Sequence, residues 1–415
     1  MFKDTPAPHS GSETAPAPPI VTRESPDSPQ QKEISCFLQQ LRDVVCLSHL
    51  RWDFVYQRPQ HLLSRFAHYG RLFFIEEPVF ENVEEPYLHT SSRGENLLLV
   101  VPQLPHGLRE EQIEAIQRHL LDQFFAEHKL EAPVLWYYTP MALGFTRHLK
   151  PALTVYDCMD ELSAFKFAPP RLKELELELF KRADLVFTGG QSLYEAKRSW
   201  HSAITAFPSS IDKDHFARAK QALTPPADQR DIPMPRLGFF GVIDERMDVD
   251  LLTALADARP DWQLVMIGPV VKIDPDTLPQ RPNIHYLGVK SYQELPAYIS
   301  GWQVALLPFA LNASTTFISP TKTPEYLAAG KPVVSTPIRD VVRPYGEEGL
   351  VHIAGTSAAF VKAVEAAMTQ QNDQAWQQKV SSFMRDMSWD QTWRAMVALM
   401  AHVVKRKSGI QSEGR

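Results

Sequence analysis

The sequence predicts an α/β protein of two doubly wound, parallel-stranded domains facing each other across a cleft. Three observations carry this expectation. The chain has 415 residues, more than one hydrophobic core organises, so two domains are expected. Short apolar runs alternate with amphipathic helical stretches, the pattern of parallel strands joined by right-handed crossovers. The alternation is broken once, over residues 217–235, by the polar, proline-rich "ARAKQALTPPADQRDIPMP", which reads as a linker.

Residues 1–33 are rich in proline, serine and threonine and poor in large apolar side chains, so they are expected to be disordered. The first domain, 34–216, opens with the buried strand "DVVCLSHL", a helix "HLLSRFAHYG" stopped by Gly70, and the strand "RLFFIEEP". A helix follows from about Glu110 to His128, then strands "PVLWYYTP" and "LTVYDCMD", the amphipathic helix "RLKELELELFKRA", strand "DLVFTGG", helix "QSLYEAKRSW" and strand "AITAFPS". Tyr137 and Tyr138 alternate across their strand, so at least one belongs to the core.

The second domain, 236–387, repeats the pattern. Strand "RLGFFGVI" leads to a helix at about Val249–Ala258, strands "WQLVMIGP" and "NIHYLG", helix "SYQELPAYISG" and strand "VALLPF". Helix "KTPEYLAAG", strand "KPVVST" and a helix from about Ser357 complete it. Residues 388–406 are apolar at helical spacing and are expected to pack back across the first domain, leaving 407–415 as a flexible tail.

Composition excludes several classes. Hydrophobic residues at 44% and charged residues at 22% are ordinary for a globular protein, and a net charge of -6 gives no global attraction to nucleic acid or anionic lipid. Cys36, Cys46 and Cys158 form neither a disulfide framework nor a zinc cluster by spacing. The N-terminus lacks a signal-peptide core and no apolar run is long enough to span a bilayer, so a cytoplasmic protein is expected, with "VVKRK" near the C-terminus available for peripheral membrane contact.

The chemistry concentrates at strand ends. Gly241 joins a buried strand to the following helix, where backbone can approach a phosphate, and Arg246 stands within reach of the same anion. The alternative is an ordinary turn with a solvated arginine. In "SPTKTPEYLAAGKPVVST", Lys322 and Glu325 share a helical face beside a strand carboxyl end. The lysine can neutralise a diphosphate and the glutamate can accept ribose hydroxyls; the alternative is a surface ion pair.

The stretch from Glu325 to Val334 resembles the "E-A-x-A-x-G-x-P-V-V" signature of glycosyltransferase group 1, the family-4-like enzymes of bacterial polysaccharide synthesis. The resemblance implies the GT-B fold, two Rossmann-like domains with a C-terminal helix crossing back to the first. It implies that Glu325 binds the donor ribose, that Arg246 and Lys322 hold the diphosphate, and that the Gly241 loop faces the sugar phosphate. The "S-x-x-K" form at Ser319 to Lys322 is similar to the teichuronic-acid and exopolysaccharide subset, and to an inverting glucuronosyltransferase of the xanthan pathway. Ser319, Thr321 and Tyr292 then join the donor side, Tyr292 also reading as sheet packing. Where the family carries an acid eight positions before the second glutamate, this chain has Phe317.

In the first domain, "VYDCMDELSAF" places Asp157 and Asp160 at a strand end. Asp160 matches the aspartate of the glucuronosyltransferase "D-x-L-S" pattern, which implies a general base for the acceptor hydroxyl; it reads equally as a helix cap. Asp157 either orients it or binds acceptor. No histidine or third carboxylate follows at ligand spacing, so no metal is expected. The loop "LRWDFVYQRPQHLLSRF" offers Trp52, Asp53, Arg58, Gln60 and His61 to a sugar acceptor, or else Trp52 and Phe54 plug the domain, Arg58 is solvated and His61 is a helix N-terminal residue. The expected activity is hexosyl transfer from a UDP- or GDP-linked sugar to a saccharide or lipid-linked acceptor. The alternative class is a non-catalytic sugar-nucleotide sensor or assembly subunit, which the phenylalanine at 317 favours.

Overall fold

The computed structural model describes residues 28–413. The first domain holds a nine-stranded sheet: β1 (Asp43–Ser48), β2 (Arg71–Glu76), β3 (Val79–Glu81), β4 (Tyr87–Gly94), β5 (Leu97–Pro105), β6 (Val134–Tyr137), β7 (Leu153–Cys158), β8 (Leu185–Thr188) and β9 (Ile204–Ala206). Their order is β3-β5-β2-β1-β6-β7-β8-β9, parallel throughout, with β4 added antiparallel to β5. Every residue of β1 is buried, the continuous apolar run expected of a strand covered on both faces.

The second sheet has six parallel strands: β10 (Arg236–Phe240), β11 (Gln263–Ile267), β12 (Ile284–Tyr286), β13 (Val304–Leu307), β14 (Val333–Ser335) and β15 (His352–Ile353). Their order is β12-β11-β10-β13-β14-β15. In each sheet the order reverses once, between β1 and β6 and between β10 and β13. Ligands of open α/β sheets bind outside the strand carboxyl ends at that reversal. The loops leaving β1 (49–57) and β10 (241–248) are therefore the ones to watch.

Several elements differ from the sequence expectation. No strand is expected between Glu76 and Glu110, yet β3, β4 and β5 lie there, β5 as the buried apolar run "LLLVVPQLP" that periodicity offers. β4 is an edge strand, "YLHTSSRG", mostly exposed, so it carries no apolar signature. The segment expected to be disordered to residue 33 enters helix Pro29–Gln40, capped by Ser28 accepting from the Gln31 amide. That helix buries Ile34, Phe37 and Leu38 in a cluster shared with the C-terminal helix, so tertiary packing stabilises it rather than its own periodicity.

The C-terminal helix, Trp389–Glu413, does cross the first domain, burying Trp389, Trp393, Met396 and Met400 there. It also runs through the expected tail: Lys407 bonds Asp184 at 2.6 Å. The linker is no free tether either. It contains helix Ala227–Arg230, and buried Gln229 accepts from the Trp302 indole at 2.8 Å and donates to the Tyr298 carbonyl at 3.0 Å. The rest of the tail expectations, residues 1–27 and 414–415, lie outside the described residues.

Candidate active site between the domains

The loop after β1 is shaped from below by Gln60, which donates to the carbonyls of Trp52 (2.6 Å) and Val55 (3.1 Å) and accepts from the Gln57 amide. Across the cleft, the loops after β10 and β11 are pressed together. Gly268 and Gly241 have φ of +140° and +146°, and a Cβ on Gly268 would stand 1.8 Å from the Gly241 carbonyl oxygen. Gly268→Ala is therefore expected to displace this wall at a cost of about 1–3 kcal/mol, seen as a lowered midpoint in denaturant unfolding together with weaker nucleotide binding.

Three connected cavities fill the cleft. The first, about 510 Å³, lies between the β1 loop (Trp52, Tyr56) and Gly241, Tyr292, Lys322 and Glu325. The second, about 140 Å³, continues past Gly241 and Lys322 to Ser319, Thr321, Arg246 and Asp160. The third, about 400 Å³, shares Asp160 and Arg246 and opens toward His49, Glu77, Phe165 and Lys272. Asp160 and Arg246 thus stand at the junction of two binding spaces.

On the second-domain side, Lys322 opens helix Lys322–Ala328, with Nζ 3.3 Å from Glu325 Oε2, 2.9 Å from Thr321 Oγ1 and 4.8 Å above the Phe240 ring. Glu325 is buried, its Oε2 has no hydrogen-bond partner, and burial raises its pKa against the pull of Lys322. A buried carboxylate held by one lysine at ion-pair distance keeps lone pairs open to a ligand's donors. Tyr292 stacks on His215 at 4.1 Å and lies tilted against Tyr56 of the first domain at 4.6 Å. Its hydroxyl is buried and unpartnered, and burial raises its pKa.

Gly241 differs from its expected role. Its amide bonds the Ile267 carbonyl at 2.9 Å, and the next helix begins only at Val249, capped by Asp248. The glycine provides close approach, without a helix start behind it. Arg246 is likewise not free: Asp244, buried, holds it through Nε (2.9 Å) and Nη2 (2.7 Å) and aims it across the cleft over the Phe165 ring.

Asp160 follows β7 and makes no cap. The short helix after it, Leu162–Ala164, has Glu161 at its N-cap position and no side-chain cap bond. Among the described residues the Asp160 carboxylate takes no hydrogen bond. Burial pushes its pKa up to about 6, against the pull of Arg246 and Arg58. The loop beneath it is held by Lys197, which bridges Glu176 (2.8 Å) and Glu161 (2.9 Å).

Four residues expected to meet the acceptor do something else. Arg58 and Asp157 are buried and form a two-pronged pair, Nε–Oδ2 3.0 Å and Nη2–Oδ1 2.8 Å, with Nη1 on the Phe207 carbonyl at 2.7 Å. Asp157 has no exposed surface with which to touch a sugar. His61 stacks on Trp389 at 4.6 Å, and burial, with Arg65 and Lys322 nearby, lowers its pKa to about 3. Trp52 packs edge-on to Phe74 and faces the cavity of Lys322 and Glu325. Asp53 pairs with Arg93, and Tyr137 and Tyr138 are both core. Phe317 packs against the apolar cluster of the first domain, so the family's acidic position is here a contact between domains.

Sequence reasoning missed His49, Lys272 and Asp340. His49 follows β1 directly, so the strand-end rule could have found it. Asp340 accepts from the Ser192 amide at 3.1 Å and ties the second domain to the first. Nothing local marks Lys272 or Asp340, whose meaning depends on the opposite domain.

This pairing of facing doubly wound domains, with a polar cleft at both strand reversals, is the GT-B architecture. Residues 234–370, the second domain, match the family model described as Glycosyl transferases group 1. The chain is similar to a protein of Bacillus subtilis (strain 168) named as a teichuronic acid biosynthesis glycosyltransferase, TuaH, at 24% identity over 267 residues. The match covers 59% of this chain and 65% of that protein's length. Among solved structures, it resembles a glycosyltransferase from Rickettsia africae ESF-5 with a TM-score of 0.62 at 11% identity, covering 88% of this chain and 99% of that one. Sucrose-phosphate synthase from Thermosynechococcus elongatus gives 0.61 at 13% identity, covering 90% and 98%. The Anabaena protein HepE, solved with UDP and glucose, gives 0.54 at 13% identity, covering 89% and 99%. No helix among the described residues is long and apolar enough to cross a membrane.

Proposed function

We propose that the protein transfers a hexose from a nucleoside-diphosphate sugar to a saccharide-bearing acceptor in bacterial surface polysaccharide synthesis. The observation that carries this reading is the position of Asp160, a carboxylate without a hydrogen-bond partner where the 140 Å³ passage from the nucleotide cavity meets the 400 Å³ cavity. The nucleoside occupies the 510 Å³ cavity, with its ribose on Glu325 and Tyr292. Lys322, Thr321 and Ser319 line the passage its diphosphate follows toward Arg246.

Asp160 takes the proton of the acceptor hydroxyl as that oxygen bonds the anomeric carbon. The bond from that carbon to the diphosphate oxygen breaks, and its electron pair leaves with the diphosphate, stabilised by Lys322 and Arg246. A base there fits direct displacement, so the product anomer is inverted, which NMR of the product reads.

The donor side is tested separately, by calorimetric titration with UDP and GDP. Glu325→Ala is expected to weaken the better nucleotide about tenfold or more, since one charge-assisted hydrogen bond amounts to about 1.5–3 kcal/mol. Unchanged affinity would remove Glu325 from the donor site. Nucleotide binding without transfer, over a broad acceptor panel, would favour the sensor reading.

A further inference from the structure

The cavity beyond Asp160 contains groups that the transfer chemistry does not use. Lys272 of the second domain and Lys166 of the first both line it, and both are exposed. Among the described residues neither forms an ion pair or a hydrogen bond. Each lies against an aromatic face, Lys272 5.1 Å above Phe165 and Lys166 5.2 Å above Phe167, and the Lys272 charge is felt by Glu77 and Asp160 of the same cavity without direct contact. The other cations of this wall are engaged: Arg246 by Asp244, and Arg51 by Glu76 at 2.9 Å.

A second observation comes from the floor of the same cavity. His49 Nδ1 is buried without a hydrogen-bond partner. Burial holds the ring neutral, its pKa lowered to about 4 with the help of the Lys272 charge and against the pull of the Tyr138 backbone carbonyl. An imidazole nitrogen in that condition is open to a hydroxyl, which can donate to it or accept from it. The cavity thus offers two unpaired ammonium groups at its mouth, an unpartnered imidazole nitrogen inside, and an unpartnered carboxylate at its junction with the donor space.

We propose that the acceptor is a sugar bearing an oxyanion, a phosphate or a carboxylate, which Lys272 and Lys166 bind from opposite domains while His49 receives one of its hydroxyls. The proposal rests on the transferase reading of the cleft. Because the two lysines come from different domains, the anion also favours closure: it gains its second partner only when the domains meet.

The test is a binding panel on the full chain without nucleotide: glucose, galactose and mannose, each against its 6-phosphate and its uronate. At least one charged member is expected to bind about tenfold more tightly than its neutral parent, as one charge-assisted hydrogen bond allows. The phosphate and uronate arms then separate the two chemistries. Lys272→Arg should keep the preference, and Lys272→Met and Lys166→Met should each reduce it. Equal affinity for charged and neutral sugars throughout, or an undiminished preference in Lys272→Met, overturns the proposal. UDP titration of the same variants reads the donor cavity independently, so a failure of the transferase reading shows as absent nucleotide binding whatever the sugars do.

Discussion

Asp160→Asn is expected to lower the rate of transfer by about 10²–10⁴-fold, the usual contribution of a positioned base, while UDP or GDP affinity stays unchanged. Burial is the dominant influence on this carboxyl; Arg246, Arg58 and Lys272 pull its pKa down and Asp244 pushes it up, for a result of about 6. A base works ionised. The kcat/KM of the wild type should therefore rise with pH through about 6 and level off above it. That limb should vanish in the variant.

The same group predicts a stability change of opposite sign. Its pKa is raised in the folded state, so between about pH 4 and about pH 6 the folded protein keeps a proton that the unfolded chain has released. Stability falls as pH rises through that window and stays lower above it. Removing the charge should accordingly stabilise the protein at pH 7, on the order of 2 kcal/mol, measured by denaturant unfolding. Loss of activity together with a gain in stability is the mark of a functional carboxylate. A variant that loses both, or that keeps full turnover, removes Asp160 from the mechanism.

The largest destabilisation is expected from the buried pair Arg58 and Asp157. Asp157→Asn or Arg58→Met leaves one charge in the interior without its partner, at a cost of about 3–5 kcal/mol. Replacing both by apolar residues, Arg58→Met with Asp157→Leu, should recover much of that loss, because the desolvation of two charges disappears with their attraction. Urea unfolding of the singles and the double closes the cycle. If these residues bound acceptor instead, the singles would keep their stability and lose acceptor affinity.

The two residues occupy their positions for a physical reason that sequence alone hides. Arg58 sits in a polar, aromatic loop and Asp157 at a strand end, both places where ligands bind, so each looks like a site residue. Asp157 lies one strand position earlier than the loop it precedes, inside β7, and its carboxylate meets the Arg58 fork at the base of helix Arg58–Phe66. Asp160, three residues on, has left the strand and reaches the cleft. Whether a polar residue near a strand end binds substrate or locks the loop depends on where the strand stops.

Periodicity and the Glu325–Val334 signature were enough for two doubly wound sheets, the break between them and the pair of Lys322 and Glu325 on one helix face, because each depends on residues close in sequence, while Arg246 joined them only through the family resemblance. The edge strand β4 and helix Pro29–Gln40 were not legible, since an exposed strand has no apolar alternation and a short helix draws its stability from a partner hundreds of residues away, whereas the buried apolar run of β5 was open to reading. Tertiary structure alone decided that Gly241 has no helix start behind it, that Phe317 joins the domains, and that Lys166 and Lys272 line one cavity. Local patterns determine which elements form. Which side chains share a cavity is settled only when two sheets, each reversing its strand order once, are brought face to face.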